Sequence, residues 1–162
     1  MPPDQWPYDG KPVNPLVLSI QSAPVLQQAP PSTGRPCILE SLLQANCDPN
    51  HVGHPPKSPL IEVALRNDLA TVQLLVGWRA NVNLQARGND LPLVFAVKQQ
   101  RPEMVKCLLD FRANPTVRCY SPVHAHPRAR WVPRTVKELT ELGTEIAQLI
   151  DHAIHEWNLS DS

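Results

Sequence analysis

Cysteine and histidine are the residue types in this sequence that could hold a metal ion. Cys119, His124 and His126 lie close together along the chain, and thiolate and imidazole groups are typical zinc ligands. No fourth ligand follows nearby, and no two of the four cysteines are two or three residues apart. Zinc binding therefore stays an alternative, and no metal site is predicted. His152 and His155 are three residues apart on an expected helix, and we interpret them as solvated helix surface.

The sequence contains no recognisable arrangement of catalytic side chains. It has only six glycines and lacks the phosphate-binding pattern Gly-x-x-x-x-Gly-Lys. No serine or cysteine lies in a nucleophile elbow. We therefore predict that the protein is not an enzyme and that it needs no cofactor.

Residues 118–134 combine positive charge with aromatic side chains. The segment has four arginines and no acidic residue, which gives a formal charge of +4. Tyr120 and Trp131 alternate with these arginines, a composition typical of binding hot spots. Three interpretations stay open: packing on the acidic segment 137–162, contact with a protein partner, or binding of nucleic acid or another anionic ligand.

Composition limits the remaining classes of protein. The 162 residues include 15 Lys+Arg and 15 Asp+Glu, a balance that argues against a wholly basic nucleic-acid binder. Hydrophobic residues make up 42%, enough for the buried core of one domain. No apolar run approaches the ~18–20 residues of a membrane span, and the first residues do not resemble a signal peptide. We expect one domain without membrane contact, located in the cytoplasm or the nucleus.

A repeated pattern with a constant period organises the middle of the chain. Three related four-residue segments begin at evenly spaced positions, namely Cys47, Ala80 and Ala113. The openings Ser58-Pro59-Leu60 and Leu91-Pro92-Leu93 keep the same spacing. Several landmarks at one period, of about 33 residues, indicate that the chain repeats a single structural unit.

Each unit is predicted to form two short helices. In the second unit, Pro59 suits the first turn of a helix. Val72, Leu75 and Val76 form an apolar face at the spacing of a second helix. Because isolated helices shorter than ~12 residues are marginal in water, each unit must bury its apolar face against its neighbour. This dependence is typical of a solenoid.

These units resemble the ankyrin repeat family, whose unit opens with Thr-Pro-Leu-His-x-Ala and closes with Leu-Leu-x-x-Gly-Ala-x-x-Asn. The corresponding openings are Ser58-Pro59-Leu60-Ile61-Glu62-Val63 and Leu91-Pro92-Leu93-Val94-Phe95-Ala96, and the clearest close covers residues 74–83. The resemblance implies an all-α solenoid of about four helix-turn-helix repeats with two loop insertions.

The expected organisation follows from this register. A proline-rich arm (1–13) precedes an ankyrin repeat domain (14–157), and a tail (158–162) follows it. Within the domain we place a divergent first repeat (14–50, with an insertion at 23–35), two clear repeats (58–83 and 91–116), a basic loop insertion (117–133) and a terminal capping repeat (134–157).

The sequence departs from the family pattern where the family has a glycine after the second helix. The chain turns there through a left-handed conformation, and this sequence has Asn46, Arg79 and Arg112 instead. Asparagine tolerates positive φ, whereas arginine carries a cost of ~1–2 kcal/mol. Ile61 and Val94 replace the histidine of the opening, so we expect apolar packing in place of a polar network.

The function implied by the resemblance is non-catalytic protein–protein binding, as an adaptor or scaffold that acts as a monomer. Stacked repeats place their first helices and connecting loops on one concave surface, whose side chains can vary without disturbing the core. The residues expected to contact a protein partner are Leu65, Arg66, Arg87, Asn89, Asp90, Lys98, Gln99, Tyr120, His124, Arg128, Arg130 and Trp131. Two alternatives remain: binding of nucleic acid or an anionic ligand through 118–134, and a structural spacer or fragment of a larger multi-domain protein.

Overall fold

The computed structural model describes six parts of the chain: residues 14–22, 38–52, 57–85, 91–122, 131–140 and 144–160. Seven α-helices and two β-strands lie within them. In chain order these are α1 (Pro15–Ser22), α2 (Ile38–Gln44), α3 (Pro59–Arg66), α4 (Leu69–Gly77), α5 (Pro92–Lys98), α6 (Pro102–Asp110), β1 (Arg118–Pro122), β2 (Trp131–Thr135) and α7 (Glu145–Ser160).

The helices form pairs that stack one after another. Helices α1 and α2, α3 and α4, and α5 and α6 contact each other as pairs, and the first helices α1, α3 and α5 pack side by side. Helix α7 packs against α6 at the end of the stack. This serial arrangement confirms the predicted helical solenoid. Among the described residues, no helix has both the length and the apolar character needed to cross a membrane.

One apolar core runs through the stack and is built from equivalent positions. Leu60 and Leu93, one repeat apart, are 1% and 2% exposed on the first helices. Leu75 and Leu108, also one repeat apart, are fully buried on the second helices. The predicted apolar faces are therefore the faces that the repeats bury against each other. Their burial supplies the free energy that such short helices lack alone.

Left-handed residues end both helices of the repeats. Asn46, Arg79 and Arg112 have φ angles of 61°, 65° and 63°, which confirms the positions predicted from the missing glycines. Asn67 and Gln100, which follow the first helices, have φ angles of 58° and 54° and were not anticipated. The chain reverses direction at each of these places, although none of them has a glycine.

Two asparagine side chains tie successive repeats together. Asn50 Nδ2 donates to the carbonyl of Arg79 at 3.1 Å, and Asn50 Oδ1 accepts from the backbone N–H of Asn81 at 2.6 Å. Asn83 repeats both bonds one unit later, at 3.0 Å to the carbonyl of Arg112 and 2.8 Å from the N–H of Asn114. We call Asn50 and Asn83 the asparagine ladder.

The insertion expected as a loop at 117–133 contains a β-hairpin. Strands β1 and β2 pair antiparallel, with Arg118 opposite Thr135 and Pro122 opposite Trp131. Aromatic and β-branched residues favour strands, and prolines are tolerated there because both strands lie at an edge. The helical solenoid thus carries a small two-stranded sheet between its third and last units.

The last unit differs from the expected helix pair. A single 3-10 turn, Lys137–Leu139, stands in place of its first helix. Thr135 and Glu138 cap this turn reciprocally, each side chain accepting from the other residue's backbone N–H at 3.4 and 3.3 Å. Val136 is fully buried between them. Helix α7 continues to Ser160, so residues 158–160, expected in the tail, are helical.

Candidate functional site

The outward sides of the three first helices form one surface. Helices α1, α3 and α5 begin at the equivalent prolines Pro15, Pro59 and Pro92. Aligning the helices on these prolines places equivalent residues side by side in two rows. The first row is Leu18, Glu62 and Phe95, and the second row, three residues further along each helix, is Gln21, Leu65 and Lys98. We call these six residues the first-helix face.

The geometry of this face follows from helix packing. Residues three apart on a helix share one side of it, and packed helices lie ~8–10 Å apart. The two rows are therefore adjacent and regularly spaced. Leu18 is 40% exposed. Gln21 and Lys98 are exposed, whereas Glu62, Leu65 and Phe95 are half-buried.

Four of the predicted contact residues lie on or beside this face. Leu65 and Lys98 are members of the second row, while Arg66 ends α3 and Gln99 directly follows α5. Arg66 Nη1 donates to the carbonyl of Gln21 at 3.0 Å. This bond ties the end of α3 to α1, so Arg66 helps to hold the surface in shape.

The first row was missed by the sequence analysis. The signal was present, because Glu62 and Phe95 lie one turn before Leu65 and Lys98 on the same side of their helices. Glu62 Oε2 lies 4.0 Å from Lys57 Nζ, which leaves the carboxylate at the margin of an ion pair. Phe95 lies at the equivalent position of the next repeat, so neighbouring repeats have an acid and an aromatic ring at the same place.

The other predicted contact residues are not tested by the structure. Arg87, Asn89 and Asp90, and likewise His124, Arg128 and Arg130, lie outside the described residues. Tyr120 belongs to β1 and Trp131 to β2, and only their backbone is described.

The described residues bring together no group of three histidine, cysteine, aspartate or glutamate side chains that could hold a metal ion. His124 and His126 lie outside them. His152 is exposed, and its Nδ1 lies 3.8 Å from Glu156 Oε2 one helical turn away. Burial, with a smaller contribution from the carboxylate of Asp110, raises the pKa of the Cys107 thiol, so the thiolate form is disfavoured.

A groove between α6 and α7 is a second feature that the sequence did not reveal. It has a volume of about 810 Å³ and includes Leu109, Leu149 and Trp157 in its lining. Its lining also includes the charged residues Lys106 and Arg112. The groove arises because α7, at 16 residues, continues past the nine-residue α6.

Comparisons with known proteins agree with this architecture. A family model described as ankyrin repeats (3 copies) matches residues 26–119. No curated protein matches the chain. A solved structure, the predatory endopeptidase Bd0816 from Bdellovibrio bacteriovorus in complex with the immunity protein Bd3460, contains a chain with a similar fold. The TM-score is 0.57 and the sequence identity is 22%. The match covers 69% of this chain and 54% of the chain in that complex. The present chain therefore spans about half the length of the chain that it resembles.

The family match and the geometry support the same assignment. Three matched copies cover more than half of the chain, and the stacked helix pairs have the expected period. Ankyrin repeats are protein–protein interaction modules and are generally non-catalytic. On this evidence, the chain belongs to the ankyrin repeat family.

Proposed function

We propose that the protein is a non-catalytic adaptor or scaffold that binds a protein partner through the first-helix face and the adjoining inter-repeat loops. One observation carries the proposal: each first helix has a uniform buried side and a varied outer side. Leu60 and Leu93 are equivalent and both are buried, whereas Glu62 and Phe95 are equivalent and differ completely. Such a helix can change its contacts without changing its fold.

The chemistry of the face suits a protein surface. Leu18, Leu65 and Phe95 supply apolar contact, and they are interspersed with polar and charged groups. Protein interfaces combine a small apolar centre with a polar surround that excludes water. Lys98 is an exposed positive charge, whereas the Glu62 side chain is only 13% exposed and lies 4.0 Å from Lys57. A single localised charge suits a partner with a defined orientation better than a uniformly charged polymer.

The face is also held in place before any partner arrives. The asparagine ladder fixes the spacing of successive repeats, and Arg66 bonds to the carbonyl of Gln21. A surface built on packed helices loses little conformational entropy on binding, so more of its contact energy is available for affinity.

Site-specific photo-crosslinking in cells tests the proposal. We would place a photoreactive amino acid at Leu65 or Lys98, and a matched control at Gln73, which is exposed on the second helix α4. The expected result is one protein adduct from the two first-helix positions and none from Gln73. Adducts at all three positions would indicate non-specific contact, and their absence at all three would favour a structural spacer.

A binding measurement with the captured partner completes the test. Leu65→Asp places a charge in a half-buried apolar contact, and we expect the affinity to fall about tenfold or more. Gln73→Ala should leave it unchanged. An unchanged affinity for Leu65→Asp, with the fold intact by circular dichroism, would show that the partner binds at a surface other than the first-helix face.

A further inference from the structure

The two outer edges of the β-hairpin differ in their ability to accept another strand. In an antiparallel pair, alternate residues direct their N–H and C=O groups either to the partner strand or outward. The backbone N–H of Val136 donates to the carbonyl of Val117 at 3.2 Å, which makes these two residues a hydrogen-bonded pair. The alternation then places Cys119 and Ser121 in hydrogen-bonded pairs and directs the backbone groups of Arg118 and Tyr120 outward.

The positions of the hairpin prolines agree with this alternation of inward and outward backbone groups. Pro122 and Pro133 both fall at positions whose backbone groups point outward. Neither position needs an N–H for the hairpin itself, and proline has none to give. The register is therefore consistent with every hydrogen-bonding constraint in the two strands.

The outer edge of β2 is poorly suited to pairing. Pro133 removes an N–H at its middle, and the N–H of Thr135 already donates to Glu138 Oε2 at 3.3 Å. Prolines and occupied donors are the usual means by which edge strands avoid pairing. The outer edge of β1 also lacks one N–H, at Pro122, but it has the N–H and C=O of both Arg118 and Tyr120, and no third strand lies beside it among the residues that the structure describes.

Charge indicates what kind of strand would pair there. Residues 118–134 have a formal charge of +4 and no acid, and Arg118 makes no salt bridge among the described residues. One acid of the neighbouring last unit is engaged locally, since Lys137 Nζ lies 2.8 Å from Asp151 Oδ1. An extended acidic segment would complement both the open edge and the positive charges of Arg118 on β1 and Arg134 on β2.

We propose that the outer edge of β1 binds an extended, acidic segment of a protein partner by strand addition, with Arg118 and Tyr120 supplying the backbone hydrogen bonds. This surface is separate from the first-helix face. A partner could therefore contact the repeats and the hairpin with two different segments.

A pair of substitutions at one position isolates the backbone contribution. Tyr120→Ala removes the side chain and keeps the outward N–H, whereas Tyr120→Pro removes both. The probe is a fluorescent peptide of alternating glutamate and valine, read by anisotropy, with a glutamine–valine peptide as the uncharged control. We expect the full-length protein to prefer the acidic peptide, and Tyr120→Pro to bind it about tenfold more weakly than Tyr120→Ala.

The same pair at Trp131 is the control for the other edge. Trp131→Pro and Trp131→Ala should bind the acidic peptide equally, because Trp131 directs its N–H to the edge of β2. Equal binding by the two Tyr120 variants, or no binding of the acidic peptide to the unaltered protein, would overturn the proposal. Displacement of the peptide by single-stranded oligothymidylate, with a steep dependence on salt, would replace it with nucleic-acid binding.

Amide hydrogen exchange in the unaltered protein makes the test independent of whether the proline variant folds. Added peptide should slow exchange at the amides of Arg118 and Tyr120 and leave those of Cys119 and Ser121, already bonded within the hairpin, unchanged. Protection without this alternation would show that the peptide binds in another way. Neither result depends on Leu65, so these experiments test the hairpin proposal independently of the proposal for the first-helix face.

Discussion

The second and third repeats, residues 58–83 and 91–116, reach the same backbone with different side chains. Asp68 and Arg101 precede the second helices with φ and ψ angles of −94°, 90° and −110°, 82°. Asp68 caps its helix through Thr71, accepting from the backbone N–H at 3.1 Å and from the hydroxyl at 2.7 Å. Arg101 makes no such bond.

The third repeat replaces polar capping with apolar burial. The residue equivalent to Thr71 is Met104, which is fully buried in the core. The first helices show the same contrast: Ser58 accepts from the N–H of Ile61 at 3.3 Å, whereas the equivalent Leu91 has no side-chain cap and is 2% exposed. Stacking therefore sets the backbone of each unit, and either polar bonds or apolar packing can stabilise it.

The largest difference between the two repeats should appear when the cap residues are removed. We expect Asp68→Ala to lower the free energy of unfolding by about 1–2 kcal/mol, because it leaves the Thr71 hydroxyl and a helix N–H without their partner. Arg101→Ala should change it by less than about 0.5 kcal/mol. Urea unfolding measures both values, and an equal cost would show that capping is not what distinguishes the repeats.

The asparagine ladder gives a second contrast, between an inner position and the end of the series. Asn83→Ala removes two hydrogen bonds between repeats and should cost about 1 kcal/mol. Thr116 is equivalent, but within the described part of the chain its side chain bonds to Asn114 in its own loop and to no other repeat, so Thr116→Ala should cost less. Exchange of the Asn114 amide should quicken in the Asn83 variant, and slow exchange there would mean that the ladder bond is not formed in solution.

The smallest expected effect is a gain in stability, and it should be the same in both repeats. Arg79→Gly and Arg112→Gly relieve left-handed strain at φ angles of 65° and 63°. The relief of ~1–2 kcal/mol is partly offset by the entropy of glycine, which leaves a gain of about 0.5–1 kcal/mol. Thermal unfolding should show a higher Tm for each. Arg101→Gly, at a φ of −110°, is the control and should not stabilise.

Much of the repeat architecture could be predicted because short sequence patterns that recur at a constant period determine it. The constant period identified the helix pairs, and the missing glycines located the left-handed positions at Arg79 and Arg112. The hairpin was not foreseen, because residues 118–134 have no periodic pattern and strand pairing joins residues as distant in the chain as Arg118 and Thr135. The sequence around Lys137–Leu139 resembles the opening of a repeat and so predicts a helix, whereas the structure has a 3-10 turn there.

The candidate binding surface was only half predicted for a related reason. The register placed Leu65 and Lys98 on this face, and helical spacing could have added Glu62 and Phe95 one turn earlier. That the rows of neighbouring helices meet follows only from the packing of α3 on α5. A repeat period determines which residues are equivalent, since equivalence is a property of the chain alone. Which equivalent side chains meet, and which strand edge stays open, was decided by the distance and rotation between stacked units, and those arise only when the whole chain packs together.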